Sequence, residues 1–500
     1  MAARTGQDYI EAIGSKAITV ELHGRQTTGG ITEIPEFRNL IRSYAALYDM
    51  QHEPGLRDVM TFESPTTGDR VGTSFLIPGD ADDLARRRQM MKTWAEWSNG
   101  MLGRTGDYLN VAVTAMAGAA DWFAQDDPRF GDNIRAYHEY VRENDLLLTH
   151  TLIMPQANRS KTVSEQSDPF LAARIVDETD DGIVLRGARM LATIGPIADE
   201  LLVMPSTVIR GGPDDAPYAY AVAVPCDAPG LRFLCRESFD LGRSHFDHPL
   251  GSRFEEIDAV VVFDDVRVPY ERCFLLRNPE LCNGIYNETS AAAHMTHQVV
   301  TRTTAKTEYM LGLVSLLTEA IAIEGFQHVQ EKVAEVIIAV EIVKALLLAS
   351  EVEAEANRFG VFTPAWAPLN ACRNWYPRFS QRFPEILRQL GSSGLMALPT
   401  EADAFGPARE DVERFLQGAA IDGIDRVRLF RLAWDTCLSA FAGRQALYEY
   451  FFFGDPVRMA GALVSSYDRE PFKERIRELL HRDEPDRADA YDPARMTTAS

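Results

Sequence analysis

Five hundred residues exceed what a single hydrophobic core serves, so about two to four domains are expected. A composition of 46% hydrophobic and 25% charged residues is that of an ordinary globular chain. The formal net charge of -22, with no Lys/Arg-rich run to offset it, opposes the counterion release that drives nucleic-acid binding, and nucleic acid is excluded as a partner.

In chain order, the opening MAARTGQDYIEAIG lacks the apolar core of a secretory signal. The runs IPEFRNLIRSYAALYD and DLARRRQMMKTWAEWSNGML carry apolar residues at helical spacing, so residues 1–147 read as a helical domain. From 148 to 278 the texture is β-rich. ARIVDETDDGIVLRG, with Asp180-Asp181-Gly182 as a hairpin turn, then ELLVMPSTVI, YAYAVAVP and AVVVFDDVRVP predict a small antiparallel barrel or sandwich. Residues 279–480 are helical again. Met310, Leu313, Leu317 and Ala320 share one helix face, and Val333, Val336, Val340, Val343 and Leu347 share another, which predicts a bundle. The charges Glu319, Glu335, Glu341 and Lys344 within these runs argue against a membrane span. The polar tail 481–500 has too few apolar residues to form a core.

The six cysteines include no CxxC, which fits a reduced, cytoplasmic chain. No GxGxxG follows a strand, and GxxxxGK[ST], HExxH and GxSxG are missing. His245 and His248 are three apart but find no third ligand, so no metal site is expected. Their segment, RESFDLGRSHFDHPLG, reads either as a cover over a substrate or as a long surface loop. One further stretch stands out. In GRTGDYLN, residues 103–110, Arg104 and Tyr108 lie four apart, about one helical turn, so on a helix both project from one face. That pair either covers apolar neighbours at a helix end or holds a ligand.

Four blocks add to this octapeptide: LLLTHTLIMPQANRS at 146–160, GARMLATIGPIADELLVMPS at 187–206, SRFEEIDAVVVFDDVRVPYERCF at 252–274 and FFFGDPVRM at 451–459. In this order, over nearly the whole chain, they resemble the oxygenase component of the 4-hydroxyphenylacetate 3-hydroxylase family. The resemblance implies an α+β, mostly α, acyl-CoA-dehydrogenase-like fold: helical N-terminal domain, central antiparallel β-barrel domain, C-terminal four-helix bundle, assembled as a homotetramer. It implies a two-component flavin monooxygenase that takes reduced FAD (FADH2) from a separate flavin reductase. With O2 as cosubstrate, such an enzyme hydroxylates a phenolic small molecule ortho to its hydroxyl through a flavin hydroperoxide.

Carried over residue by residue, the resemblance makes Arg104, Tyr108 and His150 the catalytic groups around the phenol oxygen, with Ser206 and Thr207 also at the substrate. It makes His150, Thr151, Leu152, Gln156, Ala157, Asn158, Arg159 and Thr193 cofactor contacts, and Gly454, Asp455, Pro456 and Val457 a late loop closing over the cofactor. The chemistry suits these residue types, because an unperturbed phenol ionises near pH 10 and its phenolate is the better nucleophile. Arg104 brings a permanent cation, Tyr108 a neutral donor and His150 a group that can titrate near neutrality. The chain departs from the family where Ser-Pro is usual and Thr105-Gly106 stands here, which implies a looser turn before Tyr108. A related branch, the 4-hydroxybutyryl-CoA dehydratases, supplies the alternative, with His294 and His297 as candidate cluster ligands. That branch needs cysteines near GRTGDY, and here no cysteine precedes Cys226.

Overall fold

The computed structural model describes residues 3–205 and 209–482, so Ser206, Thr207 and nearly all of the polar tail lie outside the described residues. The chain forms two compact units, Met1–Tyr450 and Phe451–Ser500.

The first unit begins with helices whose starts are chemically marked. Thr5 and Asp8 form a capping box for Gly6–Ser15, Pro35 opens Pro35–Asp49, Asp80 caps Ala81–Trp97, and Asp127 with Pro128 starts Pro128–Glu143. Gly106–Gly118 differs from these: every residue from Gly106 to Ala117 is buried, the polar Asp107, Asn110 and Thr114 among its otherwise mostly apolar side chains. It packs between Pro128–Glu143 and the long helix Ala291–Ala320.

Two sheets follow. A six-stranded sheet runs in the order Arg25–Thr28, Thr19–Leu22, Leu231–Cys235, Asp258–Pro269, Gly182–Thr193, Arg174–Glu178. A four-stranded sheet runs Cys273–Leu276, Tyr220–Pro225, Glu200–Val203, Leu148–Thr151. Pairing is antiparallel except between Thr19–Leu22 and Leu231–Cys235 and between Leu148–Thr151 and Glu200–Val203. An isolated bridge, Ile153 to Met190, links the two sheets just beyond His150. The hairpin over Asp180-Asp181-Gly182 forms with Glu178 opposite Ile183. The outer hairpin at 19–28 was not anticipated in a stretch read as helical. It turns on His23 and Gly24, both at positive φ, the geometry that matches strand twist.

The remaining helices include Pro279–Glu288, Ala291–Ala320, Gln327–Val352, Trp366–Phe379, Arg382–Gly391, Gly423–Cys437 and Ala440–Phe451. Met310, Leu313 and Leu317 meet Val336, Val343 and Leu347 in one buried cluster, each large side chain contributing roughly 1.5–3 kcal/mol of burial. Val333 packs at its edge. Among the described residues, no helix is long and apolar enough to cross a membrane.

The second unit contains the helices Pro456–Ser466 and Glu470–His481. Asp455 caps the first by accepting from the Val457 and Arg458 amides, and Gly454 takes φ 108°, which favours glycine.

Candidate active site

Arg104 lies two residues ahead of the Gly106–Gly118 helix, so it does not share a helix face with Tyr108 as the spacing had indicated. The two side chains meet all the same, with the guanidinium carbon 4.5 Å from the Tyr108 ring centroid. The path of the backbone brings them together. The Arg104 amide donates to Glu256 Oε1 at 2.7 Å, and its carbonyl accepts from Tyr44 Oη at 3.0 Å. Thr105 takes an extended conformation (φ -54°, ψ 149°) and Gly106 opens the helix in its place.

His150 comes from Leu148–Thr151, in register with Leu202 of the neighbouring parallel strand. Its ring centroid stands 5.8 Å from that of Tyr108, at an interplanar angle of 49°. The three predicted catalytic side chains therefore converge from a loop, a helix and a strand.

The electrostatics of the cluster are set by burial. Burial, reinforced by the Arg104 charge, pushes His150 well below its usual value, so this imidazole is neutral at physiological pH. It is 6% exposed, and neither ring nitrogen has a hydrogen-bond partner among the described residues. Burial raises Tyr108, opposed by Arg104 and Arg373, and keeps it a neutral phenol. Asp107, fully buried between the pair in sequence, is pushed up to about 6 by burial, against hydrogen bonds from Thr105 and Gln298. Gln298 Nε2 reaches its Oδ2 at 3.1 Å, and Oδ1 has no partner among the described residues.

The residues expected along a cofactor are arranged as follows. Thr151 is fully buried and its hydroxyl donates to the Met190 carbonyl at 2.9 Å. The Leu152 carbonyl accepts from Arg189 at 3.1 Å. Gln156, Ala157, Asn158 and Arg159 form an exposed loop braced by Gln166, which bonds both the amide and the carbonyl of Asn158. Arg159 pairs with no carboxylate among the described residues. Thr193 donates its hydroxyl to Asp258 Oδ1 at 2.7 Å, leaving the oxygen lone pairs as acceptors. Leu191 and Ile194 beside it sit at φ 61° and 59°. A β-branched residue held there is strained, and such strain gathers at functional sites. Gly454 to Val457 belong to the second unit, where Val457 is 77% exposed.

Several groups at the cluster carry no local sequence signal. Glu256, Tyr44 and Tyr448 hold the backbone of Gly103-Arg104, and Arg373 acts on Tyr108 through its charge. Their separations from Arg104 in sequence are too long for any periodicity to reveal. His294 and His297 belong elsewhere. His294 Nδ1 meets Arg87 at 3.2 Å, and His297 Nε2 meets Glu351 at 2.8 Å, inside the packing of Ala81–Trp97, Ala291–Ala320 and Gln327–Val352. The segment 236–251 is fastened to helix Gly423–Cys437, where Asp435 accepts from the Leu250 and Gly251 amides.

Residues 5–275 match the family profile described as 4-hydroxyphenylacetate 3-hydroxylase N terminal, and residues 282–481 match 4-hydroxyphenylacetate 3-hydroxylase C terminal. The chain is 50% identical over 481 residues to the 4-hydroxyphenylacetate 3-monooxygenase oxygenase component of Geobacillus sp. (strain PA-9), covering 96% of this chain and 97% of that protein. A crystal structure of the oxygenase component of 4-hydroxyphenylacetate 3-monooxygenase, complexed with FAD and 4-hydroxyphenylacetate, superposes with TM-score 0.92. It shares 49% identity and covers 96% of this chain and 99% of that one. An oxygen-tolerant archaeal 4-hydroxybutyryl-CoA dehydratase from N. maritimus superposes with TM-score 0.86 at 20% identity, covering 98% and 96% of the two chains. At that identity the likeness concerns fold alone, which is acyl-CoA-dehydrogenase-like.

Proposed function

The chain belongs to the 4-hydroxyphenylacetate 3-hydroxylase family, and on that premise we propose that it is the oxygenase component of a two-component flavin monooxygenase. It inserts one atom of O2 ortho to the hydroxyl of a phenol of the 4-hydroxyphenylacetate type. The other atom leaves as water, and reduced FAD from a separate flavin reductase is oxidised. The observation that carries this reading is the buried meeting of a guanidinium, a neutral phenol and a neutral imidazole whose Nδ1 has no hydrogen-bond partner among the described residues. The domain division at about 147, 278 and 480 belongs to the same proposal.

The residues fit FAD on their own chemistry. The exposed 156–159 loop presents amides and an Arg159 side chain that pairs with no carboxylate among the described residues, suited to a pyrophosphate, and Ile153, 46% exposed, presents apolar surface for a flat ring. Thr193, its proton given to Asp258, can accept from a ring N–H. When bound, reduced FAD supplies together with O2 the electrophilic oxygen.

The protein's own part is to prepare the phenol. Arg104 places a fixed positive charge at the phenol oxygen and lowers its ionisation from about pH 10. Tyr108, kept protonated, donates a hydrogen bond to the resulting phenolate. His150, kept neutral, accepts a hydrogen bond from the phenol hydroxyl on a ring nitrogen and so orients it. The same burial keeps water from the reacting atoms. The dehydratase alternative finds no comparable support, since no cysteine precedes Cys226.

Anaerobic mixing of the protein with reduced FAD, 4-hydroxyphenylacetate and related phenols, followed by O2, tests the reading. Catechol products are expected, with no turnover from NADH alone. Failure of every phenol to be hydroxylated would overturn it.

A further inference from the structure

Resting on the proposed function, we infer that Tyr448, on the Ala440–Phe451 helix, is the positioning residue that aims the Arg104 guanidinium at the phenol oxygen. Tyr448 donates its hydroxyl to the Gly103 carbonyl at 3.0 Å, across 345 residues of chain. The Arg104 guanidinium carbon lies 5.4 Å from the Tyr448 ring centroid and 4.5 Å from that of Tyr108, so two aromatic rings define where the cation sits.

The Tyr448 ring is itself immobilised. Arg444 and Arg302 approach its centroid to 4.6 and 5.7 Å. Neither can swing: Arg302 is held by Glu449 at 2.7 and 2.9 Å and by the Gly100 carbonyl at 2.9 Å, and Arg444 by Glu256 at 3.1 Å and Asp258 at 2.9 and 3.0 Å. Glu256 closes the circuit by accepting the Arg104 amide. Gly103 is required at its position because a Cβ there would stand 2.3 Å from Tyr448 Oη. Burial keeps the Tyr448 hydroxyl protonated, as donation to a carbonyl demands.

The test reads the ionisation of a bound phenol in the flavin-free protein. 4-Nitrophenol changes colour on ionising, so its apparent pKa in the site reports the nearby positive charge. Wild type should lower that pKa, and Arg104→Ala should raise it by about one to three units, the scale of losing one adjacent opposite charge. Tyr448→Leu should reproduce most of the Arg104→Ala rise, Tyr448→Phe a fraction of it, and Gly103→Ala should behave like Tyr448→Leu by displacing the ring. In the Arg104→Ala background, Tyr448→Leu should add nothing, because its effect passes through the guanidinium. If Arg104→Ala shifts the probe while folded Tyr448→Phe and Gly103→Ala match wild type, Tyr448 is only a packing residue and the inference is overturned. If Arg104→Ala itself leaves the probe unchanged, the phenol site is misassigned and both readings fall.

Discussion

Asp107 and His150 show how burial tunes single residues in this site. His150 sheds its proton because burial and Arg104 both disfavour the cation, so the contribution proposed for it is a hydrogen bond accepted by a neutral ring. Arg104→Ala and His150→Ala should therefore each cost roughly 10²- to 10⁴-fold in hydroxylation, with peroxide released in place of product. Tyr108→Phe removes one neutral hydrogen bond, on the order of 1 kcal/mol, and should be milder. Single-turnover yields of catechol and peroxide separate these cases, and equal losses in all three variants would contradict the assigned roles. Asp107 has the opposite sign. Its folded value of about 6 lies above the usual carboxylate range, so the folded state prefers the protonated acid and loses stability as pH rises from about 4 through 6. Asp107→Asn keeps the shape without the charge, and its amide can donate to Gln298 Oε1, which has no partner among the described residues. We expect a gain of about 1–3 kcal/mol at pH 8 and little at pH 4. Urea midpoints at the two pH values check this, and an equal gain at both would refute it.

At the scale of elements, the backbone before Tyr108 is one that a Ser-Pro pair could also take. Thr105 already adopts the extended conformation that precedes a proline, and Gly106 occupies the first helical position, where proline is favoured. The nearest atoms to an added Cβ at Gly106 stand 3.6 Å away or more, an ordinary contact. Gly106→Pro should thus fold, hydroxylate normally and stabilise by about 0.4–1 kcal/mol through the unfolded chain. A lower melting temperature with lost coupling would show that the turn needs glycine. The 19–28 hairpin teaches a related point. Its turn, His23-Gly24, lacks the usual Asn-Gly or Asp-Gly signature, and its outer strand RQTT is exposed throughout, so no alternation marks it. Pairing of the inner strand Thr19–Leu22 with Leu231–Cys235, about two hundred residues away, seats the hairpin in the sheet, and RQTT pairs with that inner strand.

The whole molecule carries two further predictions. His138, His150 and His294 are all buried and held neutral, His138 near 4. The unfolded chain takes up those protons below about pH 6.5 and the folded chain does not, so stability is intact above that value and falls as pH drops toward 4. His138 alone accounts for up to roughly 3 kcal/mol of this. His138→Gln should flatten the acid limb of a stability-pH curve, and an unchanged limb would count against it. Assembly is the second. Helix Gln327–Val352 buries Val336, Val343 and Leu347 inward yet leaves Ile338, Leu348 and Val352 57%, 59% and 75% exposed. We propose that this second apolar face, with the exposed Phe472, Ile476 and Leu480 of the final described helix, is covered in a homotetramer. Sedimentation at micromolar concentration should show four chains, and a well-folded monomer would exclude it.

What the sequence determined alone was whatever depends on neighbours in the chain. The apolar faces of 310–320 and 333–347 and the hairpin over Asp181-Gly182 are local, because a period of 3.6 and a turn signature leave their mark within a few residues. The motif blocks likewise named Arg104, Tyr108 and His150. Only the tertiary structure decided their placement and protonation. Desolvation, which no spacing encodes, turned His150 into a neutral acceptor and Asp107 into a weak acid. Backbone contacts spanning 60 to 345 residues, from Tyr44, Glu256 and Tyr448, set where Arg104 points. Those partners are brought near only when helix, sheet and bundle pack together, since a buried charge depends on the groups surrounding it in space and not on those beside it in the chain.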